Sequence, residues 1–283
     1  MHLGSPLKNR LSHLVLAVVA ISLLLVSGCA SDYERSKKPA GDWSRGLLLG
    51  ESNIKQAVAL EADAQGRIHL AWIEKLSDQE ESLRYARLNQ QGQVEIDEAL
   101  SLDLQRPRRP RFLVDEGDQL HLALLSRTDG VQELYHVPVD AQGSPGEPVR
   151  VSQDGQNVNS FQVYRPPEGN IALVWDSDSD DGQVAVYHAS VEPDGSVSPR
   201  TLLVSDAIAP SVLVDPGATG DETTVHLTWL TGSGFSARDV YYATLQHGTV
   251  APAEGVRISS FNYAESATYQ APVIGLDTET VYV

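Results

Sequence analysis

The stretch Ile68-His69-Leu70-Ala71-Trp72 decides the fold, because the chain repeats it. It returns as Leu120-His121-Leu122-Ala123-Leu124, as Ile171-Ala172-Leu173-Val174-Trp175 and as Val225-His226-Leu227-Thr228-Trp229, and a fifth copy opens at Val281-Tyr282-Val283. The first positions lie 52, 51, 54 and 56 residues apart, a period that marks a repeat architecture. A second register keeps step with it. Tyr85-Ala86-Arg87-Leu88, His136-Val137-Pro138-Val139, His188-Ala189-Ser190-Val191 and Tyr242-Ala243-Thr244-Leu245 begin 51, 52 and 54 residues apart. Both registers therefore belong to one unit.

Each unit reads as four strand-like runs, here called a, b, c and d. In the first unit the sequence places them at 56–61, 67–73, 83–89 and 98–102, from short apolar stretches punctuated by Gly, Pro and Asp. Gly92, Gly143, Gly195 and Gly248 follow strand c, where a tight turn needs a positive φ that glycine adopts without strain. Strand d ends in serine at Ser101, Ser152, Ser205 and Ser259, and strand a opens near Pro110, Pro210 and Pro272. Four-stranded units of this length with no helix between them define a β-propeller; a β-sandwich has no reason to keep a fixed period. Near-continuous apolar strands such as 225–230 suit blades buried on both faces. The Trp72, Trp175 and Trp229 row, interrupted by Leu124, is expected to fill space between blades. Residues 46–50 align with strand d and are expected to complete the last blade. Four repeats are whole and the fifth stops inside strand b, which would leave unpaired edges, so the expectation is a chain truncated at Val283 with about one to three further blades.

Composition narrows the class. With 41% hydrophobic residues the chain can bury a core, and its formal net charge of −17 repels nucleic acid, which is not expected as a partner. At the N-terminus Lys8 and Arg10 precede an apolar run over 14–26 that is short for a membrane span. The run ends in Leu25-Val26-Ser27-Gly28-Cys29, which resembles the bacterial lipobox. The resemblance implies a signal peptide over 1–28, a lipidated Cys29 followed by a tether through 45, and a propeller over 46–283. It also implies export, with the protein held to the membrane by its N-terminal lipid and facing the periplasm or the exterior. Cys29 is the only cysteine, so no disulfide competes for it, and two or three acyl chains would anchor durably.

Three groups of side chains carry candidate chemistry. In propellers the d–a and b–c loops share a face, and two charged clusters fall there. Arg106, Arg108, Arg109 and Arg111 form the one dense basic patch of an acidic chain and could grip a carboxylate, sulfate or phosphate through bidentate guanidinium contacts. Asp176, Asp178 and Asp180 alternate in the manner of a calcium loop, although Asp181 stands where that loop has glycine and Tyr187 where it has glutamate. A bound calcium is the one cofactor this pattern suggests. His69, His121 and His226 recur at one position of strand b, and His136 and His188 at one of strand c. One per blade, they are expected to pack rather than to bind metal.

The units also resemble the sialidase/BNR-type repeats of exported bacterial proteins, on Asp63-Ala64-Gln65-Gly66 before Ile68–Trp72 and on Asp115-Glu116-Gly117-Asp118 before Leu120–Leu124. The likeness covers most of 46–283 but departs from that family's Asp-box, with Glu61 in place of its serine and the Asp-to-Gly spacing one residue long. A sialidase would add three arginines, a tyrosine nucleophile with a glutamate, and an acid/base aspartate. Arg108, Arg127 and Arg238 match no motif that would place them in that arginine set, and no catalytic residue is assigned. Nucleophile elbow, P-loop and dinucleotide motifs are absent. The expected function is a binding or scaffolding module for a glycan or protein partner. The alternatives are a glycan-active hydrolase of sialidase-like type and a docking subunit of a cell-envelope complex.

Overall fold

Two short polar phrases set the hairpins. After strand c the Asn89 carbonyl accepts the Gly92 N–H at 2.9 Å and the Asn89 N–H donates to Gln93 O at 2.9 Å, while the Asn89 side-chain oxygen accepts the N–H groups of Gln91 and Gln93. Gly92 has φ 74°. Asp140 to Gly143 and Glu192 to Gly195 repeat the backbone contact, with φ 89° and 83° at the glycines. The a–b turn is built alike, from Asp63 to Gly66 and from Asp115 to Asp118, where Asp118 takes the left-handed conformation at φ 60°. A three-residue loop closing on a left-handed residue matches the twist of the strands it joins.

A computed structural model of the chain describes residues 46–52, 56–77, 80–115, 117–166, 171–178, 182–192, 194–215, 224–231, 239–246, 248–260, 272–276 and 280–283. The chain divides into two units, Met1–Leu49 and Gly50–Val283. In the first, the described residues 46–49 carry no strand, and Leu47 and Leu48 are exposed. Cys29 and its tether lie outside the described residues.

In the second unit the turns join strands into antiparallel sheets in sequence order. Blade one holds β1 (Ala59–Ala62), β2 (Ile68–Lys75), β3 (Glu81–Leu88) and β4 (Val94–Ala99). Blade two holds β5 (Arg108–Val114), β6 (Leu120–Thr128), β7 (Val131–Val139) and β8 (Val149–Arg150). Blade three holds β9 (Val158–Tyr164), β10 (Ile171–Asp178), β11 (Val184–Val191) and β12 (Thr201–Ser205). Blade four holds β13 (Ala207–Asp215), β14 (Thr224–Thr231), β15 (Asp239–Gln246) and β16 (Thr249–Ser260). A further pair, β17 (Gly275–Leu276) and β18 (Val281–Tyr282), begins the fifth repeat. Among the described residues there is no helix. The a strands pack on one another, β1 on β5, β5 on β9 and β9 on β13, so they line the axis. This is an all-β propeller.

The core is a stack of blade interfaces, and side-chain alternation explains it. Leu120, Leu122 and Leu124 of β6 face blade one, against Ala71, Ile73, Leu83 and Tyr85. Ala123 and Leu125 of the same strand face blade three, against Phe161, Leu173, Trp175 and Tyr187. Blade three in turn sends Val174 and Val186 towards Leu227 and Trp229 of blade four. Each fully buried side chain of this size contributes about 1.5–3 kcal/mol. Trp175 and Trp229 fill interfaces as expected, each stacked on a tyrosine of strand c, Tyr187 and Tyr241, and fully buried Leu124 takes the place in blade two. Leu124, Trp175 and Trp229 each face the preceding blade. Trp72 is buried too, with Gly50 packed on its ring.

Three local expectations need correcting. Strand d of blade one runs over Val94–Ala99 rather than 98–102, because the Gly92 turn starts the return strand at once. Pro110 and Pro210 sit inside β5 and β13, at register shifts between Arg108 and Arg111 and between Ile208 and Ser211. A bulge needs no ladder N–H there, so proline fits. Residues 46–50 form no strand.

Candidate functional site

The d–a and b–c loops do share a face. Gln105 O accepts the Ser126 hydroxyl at 2.8 Å and the Arg127 N–H at 3.0 Å. Likewise Gln132 donates its N–H to Asn157 Oδ1 and its side-chain amide to Val158 O. Arg106 and Arg109 are held there in left-handed backbone, at φ 44° and 50°, a conformation that costs a non-glycine residue about 1–3 kcal/mol and occurs where the surroundings enforce it. The Arg109 N–H donates to Gln56 Oε1 of blade one at 3.1 Å, and its Nη1 donates to Asn159 O of blade three at 2.6 Å. One residue thus ties three blades. Strand alternation buries Pro110 and Phe112 and leaves Arg109 and Arg111 exposed. Arg108 is half-buried and lies 3.8 Å from Glu81. Among the described residues Arg106, Arg109 and Arg111 make no ion pair, so the patch keeps three uncompensated guanidinium groups.

The acidic run behaves differently. Asp176 is fully buried inside β10. Its Oδ1 accepts the Ser160 N–H and hydroxyl, both at 2.6 Å, and its Oδ2 accepts the Ala209 N–H at 3.2 Å. The carboxylate holds the bulges of blades three and four together. Asp178 is exposed at the strand end, and Asp180 lies outside the described residues, as does Arg238. Among the described residues no three His, Cys, Asp or Glu side chains gather closely enough for a metal ion.

The recurring histidines form a brace in each of three blades. Tyr85 lies 2.9 Å from His69 Nδ1, and His69 Nε2 lies 3.2 Å from Asp63 Oδ2. In blade two His136 replaces the tyrosine, 2.8 Å from His121 Nδ1, and His121 Nε2 reaches Asp115 Oδ2 at 3.3 Å. In blade four His226 meets Tyr242 at 2.8 Å. Burial works against the Asp63 charge, but the Arg67 N–H, the Arg67 guanidinium and His69 together hold its carboxyl below the ordinary range. Burial lowers His69 and His121 although their aspartates oppose it. Burial, with His121 beside it, takes His136 down to about 4, and burial alone takes His188 to about 4. These are neutral, packed histidines.

At the opposite end of the axis, where the a–b turns lie, the a strands border an open cavity of about 610 Å³. Glu61, Asp115, Val163, Arg165, Leu213 and Val214 are among its walls. Sequence reasoning did not reach this cavity, since its lining residues are drawn from all four blades and become neighbours only once the strand register is known.

No family model and no curated protein matches the chain. Solved structures resemble it in fold. A Hadza microbial sialidase superposes with TM-score 0.50 at 13% identity, over 68% of this chain and 44% of that one. An exo-β-1,3-galactanase from Phanerochaete chrysosporium gives 0.48 at 10% identity, over 77% and 53%. An endo-arabinase from Bacteroides thetaiotaomicron gives 0.46 at 12%, over 73% and 80%. The chain thus spans less than half of the sialidase. At these identities the likeness extends to the fold.

Proposed function

We propose that the chain is a glycan-directed propeller of the sialidase-like, glycan-active kind, which takes an anionic sugar on the face bearing Arg106, Arg109 and Arg111 and is tethered to a membrane by lipid on Cys29. The observation that carries the reading is the set of three guanidinium groups without an acidic partner, two of them on left-handed backbone, at the face where the d–a and b–c loops meet. Planar guanidinium groups recognise carboxylates through paired hydrogen bonds. The fold likeness to a sialidase favours a glycan-active hydrolase over a pure binding or scaffolding module.

Calorimetric titration with sialyllactose and with lactose tests it. The anionic sugar should bind and the neutral one should not, and Arg111→Ala should weaken binding by at least about tenfold. Equal affinity for both sugars, or none for either, overturns the reading. Release of free sialic acid separates turnover from binding alone. For the tether, Cys29→Ser should move the protein from the detergent phase to the aqueous phase in a partition assay, and an unchanged distribution would refute lipidation.

A further inference from the structure

We propose that the axial cavity at the a–b turns is a second binding site, for a small zwitterion of the amino-acid or short-peptide class, held between Glu61 and Arg165. The site is independent of the arginine face, being built from the opposite ends of the innermost strands.

Strand register defines the rings of the channel. Glu61 pairs with His69, Leu113 with His121, Tyr164 with Ala172 and Leu213 with His226, so these four share one level. The next level holds Ala62, Val114 and Val214, each paired with the residue that opens strand b, and Arg165 follows Tyr164 onto it. In each of the two rings three positions are uncharged and one is charged. The charges are opposite in sign and come from blades one and three.

Glu61 is half-buried and Arg165 exposed, so a solute entering the cavity meets both charges. The other carboxylates around the cavity already have partners: Asp63 holds Arg67 and His69, Asp115 holds His121 and its own turn, and Asp118 accepts from Gln65 and from the Ala64 N–H. Among the described residues Glu61 and Arg165 make no ion pair, with each other or with any other group. Arg165 nevertheless acts on Glu61 through space, opposing the upward push that burial gives its carboxyl. An acid and a base thus line one cavity without contact, above aliphatic walls from Leu113, Val163, Leu213 and Val214. The volume is in the range of small-ligand pockets. A molecule with an ammonium at one end, a carboxylate at the other and an aliphatic body between them satisfies both charges and the wall together.

Calorimetric titration of the full chain with L-leucyl-L-leucine tests this, beside the N-acetylated dipeptide, which lacks the ammonium, and the C-terminal amide, which lacks the carboxylate. The free dipeptide should bind saturably, and each blocked form at least about tenfold more weakly, a loss of about 1.4 kcal/mol. Glu61→Gln should erase the preference over the acetylated form, and Arg165→Gln the preference over the amide. Both variants should leave sialyllactose binding unchanged, which separates this site from the arginine face. Should either variant fail to fold, the blocked dipeptides on the unsubstituted protein still decide. Equal binding of all three dipeptides, tighter binding of the amide, or no binding to millimolar concentration overturns the proposal.

Discussion

Replacing His136 by tyrosine should make the propeller resistant to acid. Tyrosine is the residue that blades one and four carry at this register, as Tyr85 and Tyr242, where each hydroxyl lies against Nδ1 of the strand b histidine. There is room for the larger ring. Gly143 sits close over Tyr85, whereas Gly195, its counterpart beside blade two, has nothing within 4 Å of its Cβ position. Burial takes His136 from the ordinary 6.5 to about 4, so the fold favours the neutral ring. As pH falls through 6.5 the unfolded chain takes up a proton that the folded chain refuses, and stability is lost until the folded ring also titrates near 4. The full loss is about 3 kcal/mol, and at about pH 4.5 it is about 2.5 kcal/mol. His188, with the same depression, adds a similar loss that the variant retains. The variant should therefore match the parent at about pH 7.5 and exceed its melting temperature by about 5–10 °C at about pH 4.5. Thermal unfolding followed by circular dichroism at both pH values measures this. A stability difference that does not change with pH would refute the reasoning, because packing alone would then account for it.

Two further substitutions follow from the geometry. Gly255 has φ 67°, and a Cβ there would run into the indole of Trp229, whereas Gly92, at φ 74°, has open space. In urea unfolding Gly92→Ala should cost about 1 kcal/mol, for backbone strain alone, and Gly255→Ala about 3 kcal/mol or more, since a packed indole must move; equal costs would contradict the packing described. Asp176→Leu installs the kind of residue found at Ile73, Leu125 and Leu230 in the other blades, yet it removes the acceptor of the Ser160 and Ala209 N–H groups and should lose about 2–4 kcal/mol. A stabilised variant would show that the carboxylate contributes nothing to holding the bulges.

The periodic part of the fold was legible because its causes are local. The apolar phrase recurs with alternation, and Gly92, Gly143, Gly195 and Gly248 all take positive φ at the turns the sequence assigned them. The second residue of the strand b phrase and the first of the strand c phrase were both visible as repeats, but not their meeting. His69 reaches Tyr85 diagonally, two positions from its own ladder partner Arg87, and only the pairing register reveals that. Asp176 was hidden differently. It reads as the head of an acidic turn, while the strand runs through it to Asp178 and takes its carboxylate inside. The arginine patch was visible as composition. Its backbone was not, because Pro110 suggested a strand opening where a bulge carries the chain through Arg109. Glu61 and Arg165 lie 104 residues apart, and no periodicity connects an exception in one ring to an exception in the next.

The pair of left-handed residues at Arg106 and Arg109 has a twin at Asp206 and Ala209, with the same spacing and with a proline next in each case, Pro110 and Pro210. The loop entering blade two and the loop entering blade four are thus one backbone form bearing different side chains. Recognition chemistry on such a scaffold is transferable. An arginine at the exposed Asp206 would meet a main chain already shaped to present it, so a charge can be added to that loop by point substitution, while Ala209 is buried and belongs to the core. Gene duplication would supply such loops ready-made, and selection would then act on what each displays.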